Sequence, residues 1–354
     1  MTNGEELLSD AGHGSSYYAN LYYPCYYTQP IGHNTMLVDF NAESQAPADY
    51  ENGIAALRDY PRIASGFAGT AVDDVSGDLA CVYKGSLASY TRTILFVKPD
   101  IVILRDRVNG NGPHTYNWLF HAEHTAGRNP IRWEGNRMTV NRTKACLTMD
   151  VLAPEIASQN IRNSDRDEGF LMLNSARDIR DTDFLAVLNP RAVKAPGDTV
   201  AAMSSSLIRD GGWLGARVKK AGSDGETIAL FRSGGSGQSM VEGFSADAER
   251  FAVTLGNNGA VRTAFVRGVS LAKPGALDLR ASRPVSVSVE FGTPAGIAVE
   301  TEADAAASVT VGPMAAKPSA VMLEGAPLEG WTYDMPAKTL RFPVPKGHAK
   351  VTVK

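Results

Sequence analysis

The chain has 354 residues, with 35 basic and 38 acidic side chains and a net charge of −3. That length fits one large or two ordinary domains, and the charge lacks the strongly basic signature of a nucleic-acid or anionic-membrane binder. At 44% hydrophobic and 21% charged residues the composition is that of a globular protein, and no apolar run approaches the roughly 20 residues of a membrane helix, so neither nucleic acid nor membrane insertion is expected.

Apolar residues fall in short β-branched runs or alternate with period two between Gly, Pro, Asn and Asp, and helical periodicity is nearly absent. The predicted strands begin at 35–40 (TMLVDF) and continue at 77–83 (GDLACVY), at 91–98 and 101–108 on either side of Lys98-Pro99-Asp100, and at 115–121 (TYNWLFH). Further strands are expected at 137–141, 146–152, 184–188, 206–208, 227–231, 251–255 and 264–269. Segment 285–291 (VSVSVEF) alternates like a strand with one solvated face, and one short helix is predicted at 53–60. The expected fold class is all-β: a large antiparallel domain over 1–240, then a smaller C-terminal β-sandwich over 241–354. The boundary is placed by 233–239 (SGGSGQS), which reads as a linker or as one long surface turn.

Chemistry-bearing residues crowd the first part of the chain. Eleven of the twelve tyrosines and five of the six histidines precede residue 125. Segment 15–29 (SSYYANLYYPCYYTQ) contains Tyr22, Tyr23, Tyr26 and Tyr27, whose rings could stack on sugars or simply cover a sheet face. It runs into His33-Asn34 at the entrance of the strand MLVDF, where an imidazole and a carboxamide can meet one anionic ligand, or serve structure alone. Arg92, Arg105 and Arg107 could line an anionic groove, although period two favours a solvent face for them. The three cysteines, Cys25, Cys81 and Cys146, are too dispersed to imply a disulfide framework or a CxxC metal site. The opening MTNGEELLSDAGHG has no basic segment followed by an apolar one, so no signal peptide is expected there.

The series DAGHGSSYY, GHNTMLVD with downstream Gln45, SGDLACVY, YTRTILFVKPDIVILRDRV and HTYNWLFH, over roughly residues 8–125, resembles the β-sandwich portion of heparinase II/III-like polysaccharide lyases. The resemblance implies a β-supersandwich for the first domain, a periplasmic or secreted location, and an N-terminal α/α toroid for which this chain has no room. It also implies β-elimination on uronic-acid polysaccharides such as heparin, heparan sulfate or alginate, with this chain supplying one wall of the cleft and inactive without the toroid. By motif, His33 would contact the substrate carboxylate or assist proton transfer, with Asn34 orienting it. Relatives often hold zinc in the sandwich. Asp78, His121 and His124 are the ligand candidates here, against the plainer reading of a solvated aspartate and a hydrogen-bonded core histidine. Where some relatives place a metal histidine just beyond the HN pair, this chain has Thr35. The alternative reading is a non-catalytic module that binds acidic glycans or is purely structural.

Overall fold

Among the described residues, strands whose side chains alternate between buried and exposed build three antiparallel sheets. The computed structural model describes residues 2, 4–10, 26–27, 29–42, 44–45, 60–83, 85–123, 130–162, 168–193, 203–222, 225–294 and 296–354. Among the described residues there is no α-helix, and the fold class is all-β, as the sequence pattern predicts. The helix expected at 53–60 lies, apart from Tyr60, outside the described residues. No helix among the described residues is long and apolar enough to cross a membrane.

The chain divides into two compact units, one of Met1–Gly66, Asp74–Phe96 and Asp100–Val200, the other of Phe67–Asp73, Val97–Pro99 and Ala201–Lys354. The first 200 residues contribute twelve strands: β1 (Met36–Val38), β2 (Arg62–Ala68), β3 (Val72–Asp78), β4 (Leu87–Val97), β5 (Ile101–His114), β6 (Tyr116–Glu123), β7 (Ile131–Glu134), β8 (Arg137–Asn141), β9 (Ala145–Ala153), β10 (Ser158–Arg162), β11 (Glu168–Asn174) and β12 (Ile179–Ala192). One sheet has the order β1-β6-β11-β10 and the other β2-β3-β4-β5-β12-β9-β8-β7.

Strand β6 explains how the two sheets share a core. Its even residues Tyr116, Trp118, Phe120 and Ala122 join Met36, Val38, Leu171 and Leu173 in one buried cluster with Val108, Met138, Val140 and Phe184 of the larger sheet. Trp118 meets Phe184 across that core with ring centroids 5.2 Å apart. The odd residues of β6 face the opposite way, and Leu119 packs there with Leu37, Phe170, Tyr26, Tyr27 and Ile31. Period two thus gives the small sheet two apolar faces, the outer one covered by the segment that leads to His33.

The strand predicted at 77–83 is displaced. Strand β3 ends at Asp78 and Ala80–Val82 forms a 3-10 turn. The inward positions of β3 after Val72 are Asp74 and Ser76, both buried, and the Ser76 hydroxyl is paired with Thr93 Oγ1 at 3.0 Å. A strand whose buried face is polar shows no apolar alternation, and so was hidden from the pattern.

In the second unit fourteen strands form one connected sheet around a core that includes Trp213, Phe244, Phe251, Val287, Leu340 and Val351. Residues 201–240, assigned by composition to the larger domain, supply strands Met203–Asp210, Trp213–Lys220 and Glu226–Arg232 to this sheet. The Ser/Gly-rich stretch is a turn within it, because Arg232 donates to the carbonyls of Ala248 (2.8 Å), Gly237 (2.8 Å) and Ala246 (3.1 Å) while its guanidinium lies 4.3 Å over the Trp213 ring. Glycines mimicked a linker, and the cation–π contact and carbonyl bonds that order them are not local in sequence. The same unit holds the 67–73 segment through Glu300, whose carboxylate accepts from Thr70 N (2.5 Å) and Thr70 Oγ1 (2.8 Å) and lies 3.4 Å from Lys350 Nζ.

Candidate functional site

His33 and Asn34 sit on a short loop between a 3-10 turn at Pro30–Gly32 and β1. Proline presets φ for the turn, which closes with His33 N donating to the Pro30 carbonyl at 3.1 Å. The His33 side chain is 36% exposed, with Nδ1 2.7 Å from Asp10 Oδ2 and Nε2 3.0 Å from the Tyr27 carbonyl. Both partners are acceptors. An imidazolium satisfies the two contacts together, and a neutral ring satisfies one of them.

Asn34 is turned inward and spent on the scaffold. Its Nδ2 donates to the Ser9 carbonyl at 2.7 Å, and its Oδ1 accepts from His121 N at 2.7 Å. Arg92 Nη1 donates to the Asn34 carbonyl at 2.6 Å. The same guanidinium grips Asp106 through Nε (2.7 Å) and Nη2 (2.6 Å), and Tyr90 OH donates to Asp106 Oδ2 at 2.9 Å. Asp106 is fully buried, so the bidentate pair and the phenol supply the hydrogen bonds that an isolated carboxylate would lack. Arg92, read from period two as solvent-facing, instead fixes the backbone of the HN loop. Arg105 likewise is buried and paired with Asp183 at 2.7 Å.

Beside this pair Thr35, Gln45 and Tyr83 form a closed polar cluster. Tyr83 OH donates to the Met36 carbonyl at 2.8 Å, which leaves its oxygen to accept from Gln45 Nε2 at 2.8 Å, with Thr35 Oγ1 at 3.2 Å. Gln45 Nε2 also donates to Thr35 Oγ1 at 3.0 Å. Burial raises the pKa of both Tyr83 and Tyr90, so these phenols stay protonated and neither acts as a base.

His121 lies on the outer face of β6, against the rings of Phe170 (5.2 Å) and Tyr26 (6.3 Å). Burial lowers its pKa to about 4, so the ring is neutral. The Ile31 carbonyl 2.9 Å from Nε2 requires the proton there, which leaves Nδ1 as a buried lone pair with no hydrogen-bond partner among the described residues. Asp78 belongs to the other sheet, where its carboxylate accepts from Ala80 N at 3.3 Å and lies 3.5 Å from Arg62. No group of three or more His, Cys, Asp or Glu side chains is arranged to hold a metal ion among the described residues, and His124 lies outside them. The neutral, mutually satisfied Thr35 cluster likewise offers no ligand set.

Of the four tyrosines singled out for stacking, Tyr22 and Tyr23 lie outside the described residues. Tyr26 is only 6% exposed and packs with Leu37, Leu119 and Phe170, so its ring is a core contact and not an open platform. Tyr27 is half-buried, meets Tyr26 edge-on at 5.7 Å, and gives its carbonyl to His33. What the residue pattern missed is the support of the site: the Ser9 carbonyl and Arg92 bond Asn34 and Asp106 holds Arg92, long-range contacts for which a single sequence carries no signal.

No protein-family profile and no curated protein matches the sequence. Among solved structures, a mutant of heparan sulfate lyase HepC from Pedobacter heparinus aligns at 13% identity over 56% of this chain and 30% of that chain, with a TM-score of 0.42. A heparinase III gene product aligns at 15% identity over 65% of this chain and 35% of that one, with a TM-score of 0.48, and another heparinase III structure at 15%, 65% and 34%, with a TM-score of 0.47. The chain thus spans about a third of the length of these structures, and likeness at this level assigns no activity and no residue role.

Proposed function

We propose that this chain is the β-sandwich part of a polysaccharide lyase that cleaves uronic-acid polysaccharides by β-elimination, and that it contributes His33 to one wall of a cleft completed by an α/α toroid. The observation that carries this reading is the mounting of His33. Asp10 Oδ2 and the Tyr27 carbonyl, both acceptors, bracket its two ring nitrogens, while the Asn34 side chain and Arg92 hold its loop from three sides. β-Elimination requires the uronate carboxylate to be neutralised before the C5 proton is acidic enough to leave, then a base for that proton and an acid for the departing O4. An imidazolium beside the cleft suits the first of these tasks, and can donate a proton once Nε2 parts from the Tyr27 carbonyl. Asn34 acts as a positioning residue, since both ends of its amide are already engaged.

Among the described residues around His33 there is no free base for the C5 proton, because Tyr83 and Tyr90 are held protonated and both His33 ring nitrogens are already bonded. This favours binding without turnover by the chain alone, and it is also what the second reading, a non-catalytic acidic-glycan module, requires. Zinc carries no step in either reading. Export to the periplasm or the medium belongs to the same proposal, because the substrates are extracellular polymers.

The test incubates the chain with heparin, heparan sulfate and alginate and follows the ultraviolet absorbance of the unsaturated product beside a calorimetric titration. Binding without turnover, weakened at least tenfold by His33→Ala, is expected. Addition of a toroid domain that restores turnover selects the lyase over the plain binding module. Turnover by the chain alone would place a complete acid and base in it and end the split-cleft reading.

A further inference from the structure

The turn at the far end of β1 is built against the preference of its own residues. Asn41 N donates to the Val38 carbonyl at 3.1 Å, closing a tight turn whose two central residues, Asp39 and Phe40, have φ of 57° and 58°. Such turns favour Asn-Gly, and a bulky aromatic residue with positive φ is an outlier. Here the conformation is imposed from several directions. Asp39 N donates to the Thr115 carbonyl (2.8 Å), Thr115 N donates back to Asp39 Oδ1 (2.8 Å), and His114 Nδ1 lies 2.7 Å from Asp39 Oδ2. Phe40 N donates to Oδ1 of the fully buried Asn117 at 2.8 Å. Asn117 Nδ2 in turn donates to Asn174 Oδ1 at 2.8 Å, and Asn174 Nδ2 to Ser158 Oγ at 3.0 Å. A chain of buried amides therefore holds a ring that is itself 52% exposed and, among the described residues, joins no apolar cluster.

We propose that Phe40, with Asp39 and His114 beside it, is a stacking subsite for one unsulfated pyranose ring of a polysaccharide; this rests on the polysaccharide reading of His33 and extends it. An aromatic face covers the C–H face of a pyranose, while polar groups beside the ring take its equatorial hydroxyls. The Asp39 side chain is 54% exposed and keeps acceptor capacity beyond its two bonds. It also sets the specificity: a hydroxyl donates to this carboxylate, whereas a sulfate placed there meets like charge. A stable protein contact would need about 800 Å² a side, far more than one half-exposed ring offers. Phe40 lies seven positions after His33, at most about 23 Å of extended chain, so one polysaccharide can reach both.

The experiment titrates the full chain with heparosan oligosaccharides, unsulfated, from disaccharide to octasaccharide, using wild type, Phe40→Ala, Phe40→Trp, Phe40→Gly and His33→Ala. Phe40→Ala should weaken the long oligosaccharides by about five- to tenfold and Phe40→Trp should restore them. Phe40→Gly should lose the same affinity without lowering the urea midpoint, which separates lost contact from lost fold. Heparin oligosaccharides should be insensitive to Phe40→Ala. Equal affinity of wild type and Phe40→Ala across the heparosan series, with His33→Ala still weakened, overturns the subsite alone. Absence of any binding overturns the subsite together with the reading of His33. A change of sedimentation coefficient in Phe40→Ala without a change in affinity makes the ring a contact between chains and equally overturns it.

Discussion

A histidine that is buried neutral makes stability depend on pH in a direction that can be worked out. Burial holds His121 at about 4 in the folded chain, against a reference of 6.5, so between these values the unfolded chain binds more protons. Stability from this residue is fully present above about pH 6.5, falls as the pH drops, and is lost below about 4, a total of about 3 kcal/mol. Urea unfolding at pH 7, 5.5 and 4.5 should therefore show a steeper acid loss in the wild type than in His121→Gln; parallel curves would refute the neutral buried ring. At the same scale Asn34→Ala is expected to cost about 2 kcal/mol, because it strands the His121 N–H and the Ser9 carbonyl that the amide now serves. Neither effect requires substrate, so both can be measured on the free chain.

Two turns illustrate how elements are held by side chains from elsewhere. Thr70 is anchored by Glu300, whose burial alone would raise its pKa, but whose bonds from Thr70 and proximity to Lys350 lower it. The bonds are strongest with the carboxylate ionised, so their contribution is present above the unfolded carboxyl range and lost as the pH falls through the depressed folded value. Glu300→Gln, which replaces one acceptor with a donor facing Thr70, should cost about 1–2 kcal/mol at pH 7 and little once wild-type Glu300 is protonated. Matched denaturation curves at the two pH values test this. A side chain at Gly69 next to it would force its neighbours to move, since a Cβ would lie 2.7 Å from the Phe67 ring and 2.9 Å from Glu300. In the other turn, Phe40→Gly removes the cost of a positive φ that Phe40→Ala retains, and should leave the glycine variant more stable by about 1 kcal/mol. Equal midpoints would mean that the turn relaxes when the ring is removed.

For the whole molecule the net charge of −3 matters more than its composition. A chain of this sign has no general attraction for a polyanion, so binding must come from local groups and should have a shallow salt dependence. If His33 meets a uronate, carboxyl-reduced heparosan should bind at least tenfold more weakly than the native polymer. Equal affinity for the two would dissociate binding from the carboxylate chemistry on which the lyase proposal depends.

Fold class was legible because strands advertise themselves by period two. The strands around Lys98-Pro99-Asp100 and at 137–141 were found where apolar residues alternate or cluster, and β3 was misplaced where Asp74 and Ser76 are the residues that turn inward. His33 and Asn34 were marked by residue type, and by the strand they precede. Their roles were not, since Asn34 finds its partners 25 and 87 residues away and Arg92 reaches Asp106 on the neighbouring strand. The same distance separates Tyr26 as a stacking candidate from Tyr26 as a covered core ring. Local pattern determined that this chain is made of sheets and where most strands lie, because alternation is a property of neighbours. Tertiary structure alone decided which polar groups are spent on the scaffold and which are left for a ligand, because hydrogen bonds between sheet and loop join residues that the sequence keeps apart.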